Sequence, residues 1–201
     1  MLKLGVTGQI ASGKSTVAEA FAEFGGRLVS ADQIGREVVE KNKPVLSKLI
    51  RAFGRGIVTA EGQLKRRELG KIVFASPEKR KTLNEIVHPQ LLKRLVEEIK
   101  VCESDPKCGF VIVDAALLVD WGWHEKVDYT ICVTAPEADQ ITRAVKNGFT
   151  VAEIKDRISS QKPIEDLVAV SDFVIHNNGT LSELRDKTRQ VYERIKVARK
   201  S

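Results

Sequence analysis

The residues of this chain that most plainly could do chemistry are Gly8-Gln9-Ile10-Ala11-Ser12-Gly13-Lys14-Ser15, with Thr16 directly after them. The spacing G-x-x-x-x-G-K-S is that of a phosphate-binding loop. Gly8 and Gly13 carry no Cβ, so the backbone can close tightly around an anion. N–H groups along Ala11, Ser12, Gly13 and Thr16 then form a nest at a helix N-terminus, where the helix dipole also favours negative charge. Lys14 is spaced to reach the β- and γ-phosphates, and the Ser15 hydroxyl to ligate Mg²⁺. The competing reading is a glycine-rich structural turn. Context weighs against it: an apolar run from Leu2 to Val6 precedes the loop. After it, Val17, Ala18, Phe21, Ala22 and Phe24 recur at helical spacing. The loop therefore predicts binding of a nucleoside triphosphate with Mg²⁺.

Two carboxylates are placed to assist. Asp32 follows a short strand, Arg27-Leu28-Val29-Ser30, and Asp114 ends the apolar run Phe110-Val111-Ile112-Val113. A carboxylate at the C-terminal end of a strand lies at the edge of an α/β sheet where ligands bind. Asp114 stands where P-loop proteins carry the acid that supports Mg²⁺. For Asp32 a second reading stays open, a first-turn acid stabilised by its own helix dipole.

The elements that must position these groups alternate. A fourth strand is expected at Tyr129 to Val133 and a fifth at Phe173-Val174-Ile175, before Asn177-Asn178-Gly179. Continuous apolar strands of this kind belong to buried parallel sheets. Between the second and third strands the pattern is helical almost throughout. It opens at Pro44 and runs on from Lys65 to Lys100, punctuated at Ser76-Pro77 and at His88-Pro89. That is more than one crossover needs, so we expect a helical insert at about 43–106 in a core of 1–42 and 107–201. His88 reads either as a substrate contact or as a capping or packing residue at a helix junction. After the fourth strand come two short basic helices. One bears Arg143 and Lys146, and the other opens at a Thr150–Glu153 capping box and carries Arg157 and Gln161. They suggest a lid at about 140–165, with a solvated helical hairpin as the alternative. Thr180 and Glu183 form a second capping box, opening a final amphipathic helix.

Composition narrows the partners. The chain has 201 residues, 33 of them basic and 27 acidic, for a net charge of +6. That suits polyanionic small molecules. Aromatics are only 5% and are not interleaved with basic clusters, which disfavours nucleic acid. The tail Arg194, Lys196, Arg199 and Lys200 reads as solvated surface. No apolar run approaches the ~20 residues of a membrane span, and Met1 leads into the first strand without a basic leader. Cys102 and Cys108 are poorly spaced for a metal, and Cys132 falls inside a strand pattern. A cytoplasmic protein without membrane or nucleic-acid partners is expected, a monomer, with an oligomer as the alternative.

Taken together, the pattern is that of a nucleoside-monophosphate-kinase-like P-loop fold, and over nearly its whole length the chain resembles the dephospho-coenzyme A kinase family. Thr7 through Thr16 resembles the family's opening, and Ala31-Asp32-Gln33-Ile34-Gly35-Arg36 its Asp-Ala-Asp-x-Ile-Ala-Arg segment. Gly62 through Leu69, Val73-Phe74, and Leu83-Asn84-Glu85-Ile86-Val87-His88-Pro89 are similar to its helical substrate region. Gln140-Ile141-Thr142-Arg143, Arg157-Ile158-Ser159-Ser160-Gln161 and Ser171 through Asn177 resemble its lid and final strand. Many folds share the P-loop; the His-Pro and Arg-Ile-x-x-Gln segments in this order are far more specific. Three departures stand out. Ser30 replaces the family's first Asp, and Asp114-Ala115-Ala116-Leu117-Leu118-Val119-Asp120 lacks its proline and ends in a shorter acid. Lys146-Asn147 stands where a second lid arginine is expected, and a lysine lacks the bidentate guanidinium fork.

The resemblance implies a three-layer α/β fold with a five-stranded parallel sheet, a helical acceptor-binding insert and a small lid. It implies ATP-dependent phosphorylation of the ribose 3′-hydroxyl of dephospho-coenzyme A, giving coenzyme A and ADP. Asp32 would then orient or deprotonate the acceptor hydroxyl, and Lys14 and Arg143 would contact phosphates. Ser15 and Asp114 would handle Mg²⁺, and Asn177, Asn178 and Gly179 would lie beside the adenine. Arg66, His88, Asp114 and Leu117 would help hold the acceptor. Another small-molecule or nucleoside kinase on the same scaffold is the neighbouring possibility, since fold does not fix the acceptor. A GTP-binding switch would need a guanine-reading Asn-Lys-x-Asp, and the chain has none.

Overall fold

Strand β1 (Leu2–Thr7) lies at the centre of a five-stranded sheet, between β3 (Phe110–Asp114) and β4 (Tyr129–Thr134). β2 (Gly26–Ser30) and β5 (Phe173–His176) form the edges, giving the order β2-β3-β1-β4-β5 with every pair parallel. The structure is a computed structural model describing residues 1–199; Lys200, the end of the basic tail, lies outside the described residues. The register puts Leu4 opposite Ile112 and Tyr129, and Ile131 opposite Phe173. Side chains alternate across a strand, so Leu2, Leu4, Val6, Phe110, Ile112, Ile131, Val133 and Ile175 share one face.

That face is closed by α1 (Lys14–Glu23) and the long α9 (Leu181–Ala198). Val17, Ala18 and Phe21 of the first, and Leu184, Val191 and Ile195 of the second, complete one continuous core. Phe21 is wholly buried, and each apolar side chain so buried contributes about 1.5–3 kcal/mol. On the opposite face Gly5 is open only because it lacks a side chain: a Cβ there would sit 2.6 Å from the Leu118 methyl.

The helices of this unit, which comprises residues 1–30 and 99–201, continue with α6 (Glu137–Lys146), α7 (Val151–Ser160) and α8 (Ile164–Ala169). Both expected capping boxes form, at Thr150 and at Thr180. Helix α8 has no counterpart in the sequence reading, because six residues behind Pro163 are too few to show a period.

Residues 31–98 form a second compact unit. It holds α2 (Ala31–Lys41), α3 (Lys43–Phe53), α4 (Arg66–Phe74) and most of α5 (Pro77–Glu103). The Asn42 side chain caps α3 by accepting from the Val45 N–H at 3.1 Å. One expectation is corrected: His88-Pro89 does not break the helix, because Pro89 lies inside α5, which continues to Glu103. A proline in a helix removes one hydrogen bond, and apolar anchors on both sides, Val87, Leu91 and Leu95, stay buried and hold the helix through it.

Candidate functional site

All the strands of a parallel sheet end at one edge. Thr7, Asp114, Thr134 and His176 therefore bring their following loops to the same side. The first of these loops is the glycine-rich one. Gly8 has φ +144° and Gly13 φ +102°, values that L side chains rarely adopt. Close approach excludes a Cβ as well: at Gly8 it would strike the Val133 carbonyl, and at Gly13 the Asn177 amide. Ala11, φ +55°, is the one non-glycine residue with positive φ among the described residues. The loop is thus a tightly specified anion cradle opening directly into α1.

Lys14 heads α1 and its ammonium donates to the Gln9 carbonyl at 3.0 Å. Ser15 donates from Oγ to Asp114 Oδ2 at 3.1 Å. Asp114 is only 6% exposed at the end of β3, and a buried carboxylate is costly unless partnered. A hydroxyl and a carboxylate side by side are hard oxygen donors that suit Mg²⁺. No group of three or more His, Cys, Asp or Glu gathers for a metal among the described residues. That is compatible with Mg²⁺, which usually takes one or two carboxylates and leaves the rest to phosphate and water. Leu117, just beyond, is half-buried, whereas Leu118 is fully buried over Gly5.

Arg143 and Asn177 close the other wall. Arg143 on α6 donates from Nη1 to the Ala11 carbonyl and from Nη2 to the Asn177 carbonyl, both at 3.3 Å, and pairs with Asp139 at 3.6 Å. The Asn177 amide donates to the Ser12 carbonyl at 2.8 Å, and its backbone N–H to the Thr134 carbonyl at 2.7 Å. Asn178 Oδ1 accepts from Lys187 at 2.9 Å. At Gly179 a Cβ would strike the Glu183 carboxylate of the α9 capping box. The expected adenine-side residues Asn177 to Gly179 therefore run from the phosphate loop into the start of α9.

In the α6–α7 region the Arg157 guanidinium lies 4.6 Å from the centre of the Phe149 ring, and burial pulls its pKa below the usual arginine value. Two contacts here escaped the sequence reading. Gln161 Oε1 accepts from the Ile10 N–H at 2.8 Å, and Gln9 Nε2 donates to the Lys162 carbonyl at 3.3 Å. The Arg-Ile-x-x-Gln segment contained the signal for the first; nothing in the sequence marked the second.

The remaining expected residues belong to the helical unit. Asp32 is exposed in the first turn of α2. Arg66 opens α4 and forms an ion pair with Glu40. His88 is half-buried within α5. This unit also has a cleft of about 670 Å³ between the end of α2, the start of α3 and α5, with Lys41, Lys43, Gln90 and Arg94 in its lining.

Comparison with known proteins gives the family. The family model described as dephospho-CoA kinase matches residues 2–183. The dephospho-CoA kinase of Carboxydothermus hydrogenoformans is 37% identical over 194 residues, covering 96% of this chain and 94% of the relative. The crystal structure of TT1252 from Thermus thermophilus is similar with a TM-score of 0.77 at 29% identity, over 96% of this chain and 97% of that one. A dephospho-CoA kinase structure from Campylobacter jejuni is similar with a TM-score of 0.61 at 25% identity, over 96% of each chain. With a family model spanning most of the sequence and the phosphate loop in place at the sheet edge, the chain belongs to the dephospho-CoA kinase family.

Proposed function

We propose that this phosphotransferase moves the γ-phosphoryl group of ATP to the ribose 3′-hydroxyl of dephospho-coenzyme A, giving coenzyme A and ADP, the last step of coenzyme A synthesis. The observation that carries the reading is the convergence of Lys14, Ser15, Asp114 and Arg143 on one glycine-rich loop, in a chain of this family. Phosphoryl transfer needs little covalent help; positioning and charge stabilisation do most of it. Lys14 would bind the β- and γ-phosphates, and the nest of loop N–H groups would hold the chain of phosphates. Arg143, anchored to the Ala11 and Asn177 carbonyls, would stand between the phosphates and the adenine, with Asn177 to Gly179 on the adenine side. Ser15 and Asp114 would hold Mg²⁺, which supplies charge neutralisation when bound. Asp32 would accept the proton of the attacking hydroxyl.

Arg66 and His88 of the helical unit, and Leu117, are the residues we assign to the acceptor. No helix of the described residues is long and apolar enough to cross a membrane. The test is ADP release against a panel of acceptors. Dephospho-coenzyme A should be far better than plain adenosine, because remote contacts are used to position the reacting hydroxyl. Equal rates with AMP, shikimate or gluconate would overturn the assignment.

A further inference from the structure

One peptide group in the phosphate loop is held from both sides. The Gln9–Ile10 peptide offers its carbonyl to the Lys14 ammonium at 3.0 Å and to the Ser12 N–H at 3.3 Å. Its N–H, on Ile10, donates to Gln161 Oε1 at 2.8 Å. A trans peptide is planar, so its C=O and N–H point in opposite directions. Whatever fixes the N–H fixes the carbonyl on the other side. Gln161 sits at the C-cap of α7, and the Gln9 side chain donates back to Lys162 beside it at 3.3 Å. The crest of the loop is thus tied by two hydrogen bonds to a segment some 150 residues away in sequence. Neither bond contributes to the phosphate nest itself.

We propose that Gln161 is a positioning residue for phosphoryl transfer, acting through the Gln9–Ile10 peptide on Lys14; this rests on the function proposed above. A lysine ammonium has three donors. One of them lies on the Gln9 carbonyl, and that anchor sets the direction in which the ammonium points. Without an acceptor on Ile10, the peptide can rotate, and Lys14 loses the anchor that aims it. Because Gln161 ends α7, the same contact links the conformation of the α6–α7 region to the loop that holds the triphosphate.

Gln161→Met keeps the length of the side chain and removes the acceptor; Gln161→Glu keeps an accepting oxygen. In the nucleotide-free protein, exchange of the Ile10 amide hydrogen should be at least ~10-fold faster in Gln161→Met than in wild type and return towards wild type in Gln161→Glu. Mg·ATP affinity and kcat should each fall about 10-fold in Gln161→Met, with the KM for the acceptor unchanged, and Gln161→Glu should recover most of kcat. Faster exchange with unaltered kinetics would overturn the positioning role, and so would unaltered Ile10 exchange. A large drop in Tm together with a rise in both KM values would mean that Gln161 serves folding alone. If wild-type protein phosphorylates none of the acceptors, the proposed function fails by itself, while Ile10 exchange and Mg·ATP affinity still decide the role of Gln161.

Discussion

Ser15 and Asp114 lie 99 residues apart in sequence, yet the hydroxyl of one donates to the carboxylate of the other at 3.1 Å, joining the first turn of α1 to the end of β3. The register of β1 against β3, with Val6 opposite Asp114, brings the carboxylate level with the loop that follows β1. Asp114→Asn should raise the Mg²⁺ concentration needed for half-maximal rate, with a smaller loss at saturating metal. Ser15→Ala should act in the same direction. Since the two side chains touch, the double mutant should cost less than the sum of the single ones. A Mg²⁺ titration of all four proteins measures this; unchanged metal dependence in Asp114→Asn would remove that residue from the metal site.

Lys14→Ala should cut turnover by at least ~100-fold, about 2.7 kcal/mol of transition-state stabilisation. The fold should persist, because the loop is shaped by Gly8 and Gly13 and by the Asn177 amide on the Ser12 carbonyl. Circular dichroism checks the fold and ADP release the rate. A folded variant with near-wild-type turnover would refute the role given to Lys14.

Much of this arrangement was legible in the sequence because the signals were local. The G-x-x-x-x-G-K-S spacing, the apolar run ending at Asp114 and the capping boxes at Thr150 and Thr180 each depend on residues within a few positions of one another. What stayed hidden depended on tertiary contact. That Gln161 takes the Ile10 N–H, and that Arg143 bridges the Ala11 and Asn177 carbonyls, follows only once β1, β4 and β5 are side by side. The His88-Pro89 pair misled because a proline penalises a helix locally, while burial of Val87, Leu91 and Leu95 outweighs it. The short α8 lacked the length to display a period.

Cys132 gives a pH prediction. It is buried in β4, and burial pushes its thiol from an ordinary 9.0 up to about 11, with the nearby Lys14 charge opposing the rise. In the unfolded chain the thiol loses its proton near pH 9, while in the folded protein it keeps it until about 11. Across that window the native state binds more protons, so stability is fully present below pH 9 and falls as pH rises towards 11. Denaturant midpoints measured from pH 8 to 11 should therefore decline less steeply in Cys132→Ala than in wild type. The same burial should keep Cys132 unlabelled by a thiol reagent in the native protein at pH 8, whereas the half-buried Cys108 labels first. Equal labelling of the two in folded protein would contradict this account.

Asp32 separates a chemical role from a structural one. It follows Ser30 and Ala31 at the end of β2 and stands in the first turn of α2, exposed to solvent. Its carboxylate there stabilises the helix dipole by about 0.3–1 kcal/mol, and that would be its whole contribution if it served only the helix. We expect more. Asp32→Asn should lower kcat by 100-fold or more, because an amide cannot accept the proton of the attacking hydroxyl. Mg·ATP affinity should be nearly unchanged, since the nucleotide groups Lys14, Ser15 and Asp114 remain, and added Mg²⁺ should not restore the rate. Tm should move by no more than the loss of one helix-terminal charge produces. Measuring kcat, Mg·ATP affinity and Tm on the same variant decides it. A lowered Tm with kcat intact reduces Asp32 to a helix-stabilising residue. Rescue of Asp32→Asn by Mg²⁺, with no rescue of Asp114→Asn, would exchange the roles assigned to the two aspartates.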